Sequence, residues 1–310
     1  MLSRVADSLY WIGRNLERAE HCSRFLKVQY FSTLDTPMIR NKDFTLRSIM
    51  FMAGTNFQSQ GGIMEQEIWK NVIFDINNPN SIFSVIKNAR ENARSIRNSI
   101  STELWESINK LYLYCSNYEE QKFSAGKIYD FTEDMRTHIA MIKSTIQNTI
   151  LHDDCYHFIK LGLFVERSIQ VLRIVRGKIS DWSILSENGM NKALISYQWT
   201  ILLKSIEGFD IYNKLHPGKK SIENIFRMIF MNDLFPRSMA YSLNNIRMGL
   251  RKISVRPQGY DAMIESFDKK TLSMQSFDDF DDEDKVLEYV HQVIERISKI
   301  HNDIANMYFN

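Results

Sequence analysis

The stretch "LYWIGRNLERAEHCSRFL", residues 9–26, decides how the chain is read. It continues a pattern begun just upstream. Leu2, Val5, Leu9, Ile12, Leu16, Ala19, Ser23 and Leu26 recur at steps of three and four, which lines one side of a long helix with mostly apolar residues. Into this helix are set Gly13 and the adjacent pair Glu17 and Arg18. A glycine inside a helix costs about 1 kcal/mol relative to alanine, so it belongs where another backbone or side chain must come close. Standing one turn before Glu17, Gly13 opens an approach for a neighbouring element toward the carboxylate. Tyr10, Gly13, Glu17, Glu20 and Arg24 run beside the apolar stripe, and Asp7, Trp11, Arg14, Arg18 and His21 flank it on the other side.

The pattern recurs. "GRNLERAEHCSRFL" from Gly13 has a counterpart in "GLFVERSIQVLRIV" from Gly162, with Gly13, Glu17, Arg18 and Arg24 falling on Gly162, Glu166, Arg167 and Arg173, each displaced by 149 positions. Downstream, "PNSIFSVIKNARENARSIR" from Pro79 aligns with "PRSMAYSLNNIRMGLRKI" from Pro236 at a displacement of 157. Two similar spacings in the same order predict two related halves, roughly 1–150 and 151–310. No Pro/Gly/Ser-rich linker separates them, since "ILHDDCYHFIK" merges into the next helix. The expected fold is therefore all-α, a single compact helical bundle over 1–310 built from two pseudo-symmetric halves.

Five prolines and twelve glycines punctuate the chain, and the prolines fall between the periodic segments. Besides the first helix, helical runs are predicted near 44–54, 62–74, 80–115, 127–150, 154–179, 190–214, 221–231, 237–252 and 284–308. Strand-type alternation is nearly absent. The acidic stretch "SFDKKTLSMQSFDDFDDEDK", 266–285, lacks a sustained apolar face and is read as an exposed loop.

With 44% hydrophobic and 25% charged residues the composition is that of a globular protein. A net charge of +2 argues against a broad nucleic-acid-binding face. Arg4, Asp7 and Arg14 interrupt the first residues, which lack the apolar run of a signal peptide, and no stretch matches a membrane span. Cys22, Cys115 and Cys155 are odd in number and widely spaced, so no disulfide framework is expected. These features read together as cytoplasmic.

The helix after Pro79 places Arg90, Arg94 and Arg97 at i, i+4 and i+7. Stacked guanidiniums repel, and buried charge requires a partner. One reading has Glu17, Glu20 and Glu166 neutralise these arginines and fix helix packing. The other has the arginines, with Arg14 or Arg237, fork onto a carboxylate or phosphate of a bound molecule. In that second setting Glu17 or Glu166 could serve as general base.

Other chemistry finds less support. Of the Glu-x-x-His motifs that build di-metal sites in bundles, only "EYVH", Glu288 to His291, is present. "HDDCYH", residues 152–157, lacks a second Cys/His pair at zinc spacing and any cysteine-hydrolase signature. "QGGIMEQE", residues 60–67, lacks the Gly-Lys-Ser/Thr ending of a phosphate loop. No metal or cofactor is expected. Tyr10, Trp11, Trp69, Trp105 and Trp199 are read as packing residues rather than base-stacking platforms.

"LSRVADSLYWIGRNLERAE", "NPNSIFSVIKNARENARSIRNSISTELWESIN", "FVERS" and "LFPRSMAYSL" together resemble the bacterial alpha-E family, across nearly the whole chain. The resemblance implies an all-α protein of no established biochemical activity. Its members are typically encoded beside an ATP-grasp-type ligase, often with transglutaminase-like peptidases. It also implies that Glu17 and Arg18 carry the naming Glu-Arg motif, with Glu166 and Arg167 as a second, weaker copy that lacks the arginine following Gly13. The function expected from these readings is a helical subunit that binds a peptide, an amino-acid derivative or a partner ligase through a Glu/Arg site. A stand-alone enzyme of amide or peptide chemistry and a pure interaction scaffold remain open beside it.

Overall fold

The computed structural model describes residues 1–35, 46, 48–51, 54, 65–118, 123–187, 192–218, 221–280 and 282–310. Among them every regular element is helical. In chain order these are α1 (Ser3–Asp35), α2 (Glu65–Trp69) with a π-helical turn at Lys70–Phe74, α3 (Ile82–Ser95), α4 (Thr102–Ser116), α5 (Ile128–Thr149), α6 (Asp154–Glu187), α7 (Lys192–Ser205), α8 (Phe209–Leu215), α9 (Ile222–Met231), α10 (Met239–Lys252), α11 (Tyr260–Gln275) and α12 (Glu283–Tyr308). The chain packs into two compact units, one formed by Ser8–Leu163 and the other by Met1–Asp7 with Phe164–Asn310.

The stripe read from the first helix is buried from Leu9 onward: Leu9, Ile12, Leu16, Ala19, Ser23 and Leu26 are shielded from solvent, whereas at the start of the helix Leu2 is exposed, Val5 is half-buried and Ala6 is buried in their place. Helix α6 differs, burying Phe158, Ile159, Leu161, Val165, Val171, Leu172, Ile174 and Val175 around most of its circumference, the signature of a helix enclosed by others. Serines start several helices by accepting from a backbone N–H three residues on: Ser81 for α3, Ser101 for α4, Ser221 for α9 and Ser238 for α10. Each such cap contributes about 1 kcal/mol.

Three expectations need correction. The run predicted over 80–115 is broken: α3 ends at Ser95, a 3-10 turn spans Arg97–Ser99, and Ser101 restarts the chain as α4. The run over 190–214 divides at Ile206–Gly208, where Glu207 takes a left-handed φ of 55°. Most of the predicted loop 266–285 is helical, because α11 extends to Gln275 and buries Met263, Phe267 and Met274. Parts of the predicted helix at 44–54 and most of "QGGIMEQE" lie outside the described residues.

Within the unit Ser8–Leu163, Gly13 and Gly162 face each other's backbone. A Cβ on Gly13 would stand 2.0 Å from the Ile159 carbonyl oxygen and 2.9 Å from the Leu163 nitrogen. A Cβ on Gly162 would stand 1.9 Å from the Tyr10 carbonyl oxygen and 3.1 Å from the Arg14 nitrogen. Helices α1 and α6 therefore cross with no side chain between them. Backbone cannot rotate aside as a side chain can, so any larger residue must push the helices apart. Gly13→Ala and Gly162→Ala are each expected to destabilise the protein by about 1–3 kcal/mol or more, outweighing alanine's better helix propensity. Gly126→Ala, where a Cβ meets only the Ser124 hydroxyl at 4.0 Å, is the control that should stay near neutral. Denaturant unfolding of the three variants checks this.

Candidate functional site

The side chains singled out by the sequence fall into both units. In the unit Ser8–Leu163, Glu17 is fully buried. Its Oε2 accepts a hydrogen bond from Lys143 Nζ at 2.7 Å, and the same ammonium reaches Glu20 Oε2 at 2.5 Å. Ten residues along α1, Lys27 donates to Glu133 Oε1 at 2.6 Å. Ten residues on α1 are thus matched by ten in the opposite direction on α5, about 15 Å of helix axis, with the charges reversed between the two ends. That arrangement selects an antiparallel pairing in one register. Hydrogen bonds from Arg136 and then Lys27 hold the Glu133 carboxyl below the usual carboxylate range.

Arg18 points to the turn that begins α3. Its Nη1 donates to Asn80 Oδ1 at 3.2 Å, and Asn80 Nδ2 donates to the Gly54 carbonyl at 2.9 Å. Asn78 tightens the same turn, accepting from Asn80 N and donating to the Asn71 carbonyl, after which Ser81 caps α3. Arg14 lies almost wholly buried, its guanidinium over the rings of Trp11 at 4.7 Å and Tyr10 at 5.8 Å.

In the other unit, Glu166 is fully buried and accepts from Gln170 Nε2 at 2.7 Å. Arg167 Nη1 donates to the Pro236 carbonyl at 3.1 Å, and its guanidinium stacks over Phe164. Asn232 Oδ1 accepts from the backbone of Leu234 and Phe235, and Ser238 caps α10. Arg18 and Arg167 therefore do the same work. Each ties its own helix to the proline-containing turn that starts a later one.

Arg237, on that second turn, donates from Nε at 3.1 Å and Nη2 at 2.6 Å to Glu207 Oε2. Glu207 is the one non-glycine residue at positive φ among the described residues, a conformation that costs a side chain-bearing residue about 1–2 kcal/mol.

The arginines of α3 are not neutralised as the sequence reading has it. Arg90 pairs with Glu91 at 2.7 Å and Asn109 at 2.9 Å and stacks on Tyr112, while Arg94 pairs with Glu91 at 2.7 Å. Arg97 leaves the face altogether, because the helix ends at Ser95, and its guanidinium lies over Trp105. Glu91, not Glu17, Glu20 or Glu166, supplies the carboxylate for this group. Sequence reasoning missed Lys143 and Glu207 as partners. A lone lysine between Ile142 and Ile146, or a glutamate before a glycine, has no local signature.

Among the described residues no group of three or more His, Cys, Asp or Glu could hold a metal ion, and Glu288 and His291 are both exposed on α12. None of the three cysteines is disulfide-bonded. In "HDDCYH", His152 stacks on Tyr156 and bonds the Gln147 carbonyl, and burial, with Asp153 adding to it, pushes the Cys155 thiol up to about 11. Tyr10, Trp69 and Trp199 are buried in the packing. Among the described residues no helix is long and apolar enough to cross a membrane.

Lys143→Met removes the ammonium from a buried carboxylate and is expected to cost about 3 kcal/mol, read by denaturant unfolding. Cys155 should be alkylated by iodoacetamide at pH 7.5 at least about tenfold more slowly than free cysteine, its raised pKa leaving little thiolate.

No solved structure matches the chain. Curated relatives include uncharacterized proteins of Mycobacterium bovis and Mycobacterium tuberculosis, 18% identical over 270 residues. The match covers 81% of this chain and 30% of theirs, so the chain spans about 30% of the length of these relatives. A family model matches residues 1–309, and the chain belongs to that family, Alpha-E, described as a predicted alpha-helical domain with a conserved ER motif.

Proposed function

We propose that this chain is a helical binding subunit that works with an ATP-grasp-type ligase, in the cytoplasm, in the synthesis or modification of peptides or amide-linked metabolites. A transglutaminase-like peptidase is a second partner of the same kind. The partners come from the alpha-E resemblance. The assignment of a binding rather than a catalytic part comes from the site. The observation that carries it is the engagement of the Glu-Arg pair: Glu17 is closed off from solvent against Lys143, and Arg18 is committed to the turn before α3. A general base must reach the proton it abstracts, and a carboxylate at zero exposure on an ammonium is placed to hold helices together. The bond-making chemistry then belongs to the ligase, with this chain presenting substrate or stabilising the assembly.

The test is to purify the chain with and without the ATP-grasp-type ligase of its own host and to follow ATP turnover on amino-acid and peptide acceptors. A complex whose turnover depends on this chain, with none from the chain alone, is the expected result. Turnover by the isolated chain that Glu17→Gln abolishes without lowering its melting temperature would instead establish a stand-alone enzyme. The proposal predicts the reverse for Glu17→Gln, a lower melting temperature from the weakened pair with Lys143.

A further inference from the structure

Charge is not spread evenly along this chain. Residues 82–99 hold Lys87, Arg90, Arg94 and Arg97 against a single acid, Glu91. Four cations on one carboxylate leave a net +3, which exceeds the +2 of all 310 residues together. The positive charge is thus concentrated on α3 and the turn that follows it, and the rest of the molecule is slightly acidic. Lys87, Arg90 and Arg94 lie at i, i+3 and i+7 on one helix face. Lys87, Arg94 and Arg97 are exposed, the Arg94 side chain by 65%.

The guanidiniums are held in place by their own unit. Glu91 sets Oε1 on Arg90 Nη1 and Oε2 on Arg94 Nη2, both at 2.7 Å. Arg90 Nε donates to Asn109 Oδ1 at 2.9 Å, and its guanidinium lies over Tyr112 at 4.5 Å. Arg97 lies over Trp105 at 5.4 Å, with Arg90 5.8 Å from the same ring. Among the described residues no carboxylate pairs with Arg97. Trp105, Asn109 and Tyr112 share one face of α4 at i, i+4 and i+7, a face that neither acid of α4, Glu103 or Glu106, shares. The related helix of the other unit separates what is architecture from what is added. Arg247 and Arg251, displaced by 157 from Arg90 and Arg94, likewise share one carboxylate, that of Asp268, but Ser254 stands where Arg97 does. Two arginines on one acid belong to the repeated fold; Arg97 on its ring is charge added to the α3–α4 face.

Excess positive charge on exposed side chains selects an anionic partner, and side chains already ordered by rings and hydrogen bonds lower the cost of association. Trp105 and Tyr112 are engaged by guanidiniums, so the face offers forked donors rather than open rings on which bases stack. Arginine, tryptophan and tyrosine are also the side chains that carry most of the binding energy at protein interfaces. We propose that the α3–α4 face, made by Lys87, Arg90, Arg94 and Arg97 with Trp105 and Tyr112, is a docking surface for an acidic segment of a partner protein. Carboxylates of that segment add to Arg94 and Arg97 in the way Glu91 already pairs with Arg90 and Arg94. The surface stands on its own charge and packing and does not require the ligase partnership.

The test titrates the full chain into fluorescein-labelled hexaglutamate, with labelled hexaglutamine as the uncharged probe, and reads anisotropy at about 50 and about 200 mM salt. Wild type is expected to bind hexaglutamate, to ignore hexaglutamine and to lose at least about tenfold in affinity over that salt range. Arg94→Gln combined with Arg97→Gln is expected to weaken binding at least about tenfold. Lys214→Gln combined with Lys252→Gln removes the same charge from exposed positions of the other unit and should stay within about twofold of wild type. Arg97→Gln alone, which breaks no ion pair, is expected to cost at least about threefold and keeps the test independent of the pairs on Glu91. Equal weakening by the two double variants, no binding of hexaglutamate at the lower salt, or unchanged affinity in Arg97→Gln would overturn the proposal. So would tighter binding of a labelled oligouridylate than of hexaglutamate at the higher salt, which would assign the face to RNA. Self-association of wild type in sedimentation that Arg94→Gln with Arg97→Gln abolishes would overturn it in favour of a second copy of this chain.

Discussion

Backbone contact between α1 and α6 at Gly13 and Gly162 is the constraint from which the polar chemistry of the first unit follows. Helices ordinarily stand about 8–10 Å apart because side chains fill the interval. Here nothing fills it. Glu17 lies one turn beyond Gly13, and Leu16 and Ala19 beside it are buried, so the carboxylate is sealed from water. A sealed carboxylate must have a cationic or hydrogen-bonding partner, and Lys143 of α5 supplies one. The glycine, the glutamate and the lysine form a sequence of causes.

Arginine takes the complementary part. Arg18 and Arg167 each reach a proline-containing turn whose serine then caps the following helix. A guanidinium suits this task because its charge survives partial burial and its several donors can satisfy backbone carbonyls and amide oxygens. The Glu-Arg dipeptide thus splits its labour. In the first unit the glutamate sets the packing of α1 on α5, and the arginine sets where the helix after the turn begins.

What could be read from the sequence was what repeats along it. The three- and four-residue spacing predicts α1, and from Leu9 to Leu26 its buried face, because each turn restates the signal. Gly13 and Gly162 were readable as close-approach sites because glycine has no other good reason to lie there. Ends and partners were harder. The break before α4 was hidden because Ile96 and Ile100 continue the apolar rhythm while Ser101 starts a new helix. Helix α11 was hidden by the opposite effect, its exposed Leu272 and many charges masking Met263, Phe267 and Met274 on one face. The arginine ladder failed at its third rung, since i+7 has meaning only while the helix lasts. Lys143, and Glu91 as the shared carboxylate, are chosen by tertiary packing among many charged residues of equal local standing.

The crossing at the glycines also bears on how the chain acquires its structure. Gly13 and Gly162 are 149 residues apart, so the contact closes one of the longest loops that the unit Ser8–Leu163 allows. At ribosomal speeds of about 5–20 residues per second, α1 exists for roughly 7–30 s before its partner is made. Through that interval the side of α1 that will meet α6 stays open to water or a chaperone, while α3, α4 and α5 can already assemble and offer Asn80 to Arg18 and Lys143 to Glu17. The crossing of α1 on α6 is thus among the last contacts of this unit to become possible, and the absence of two methyl groups is what lets it close.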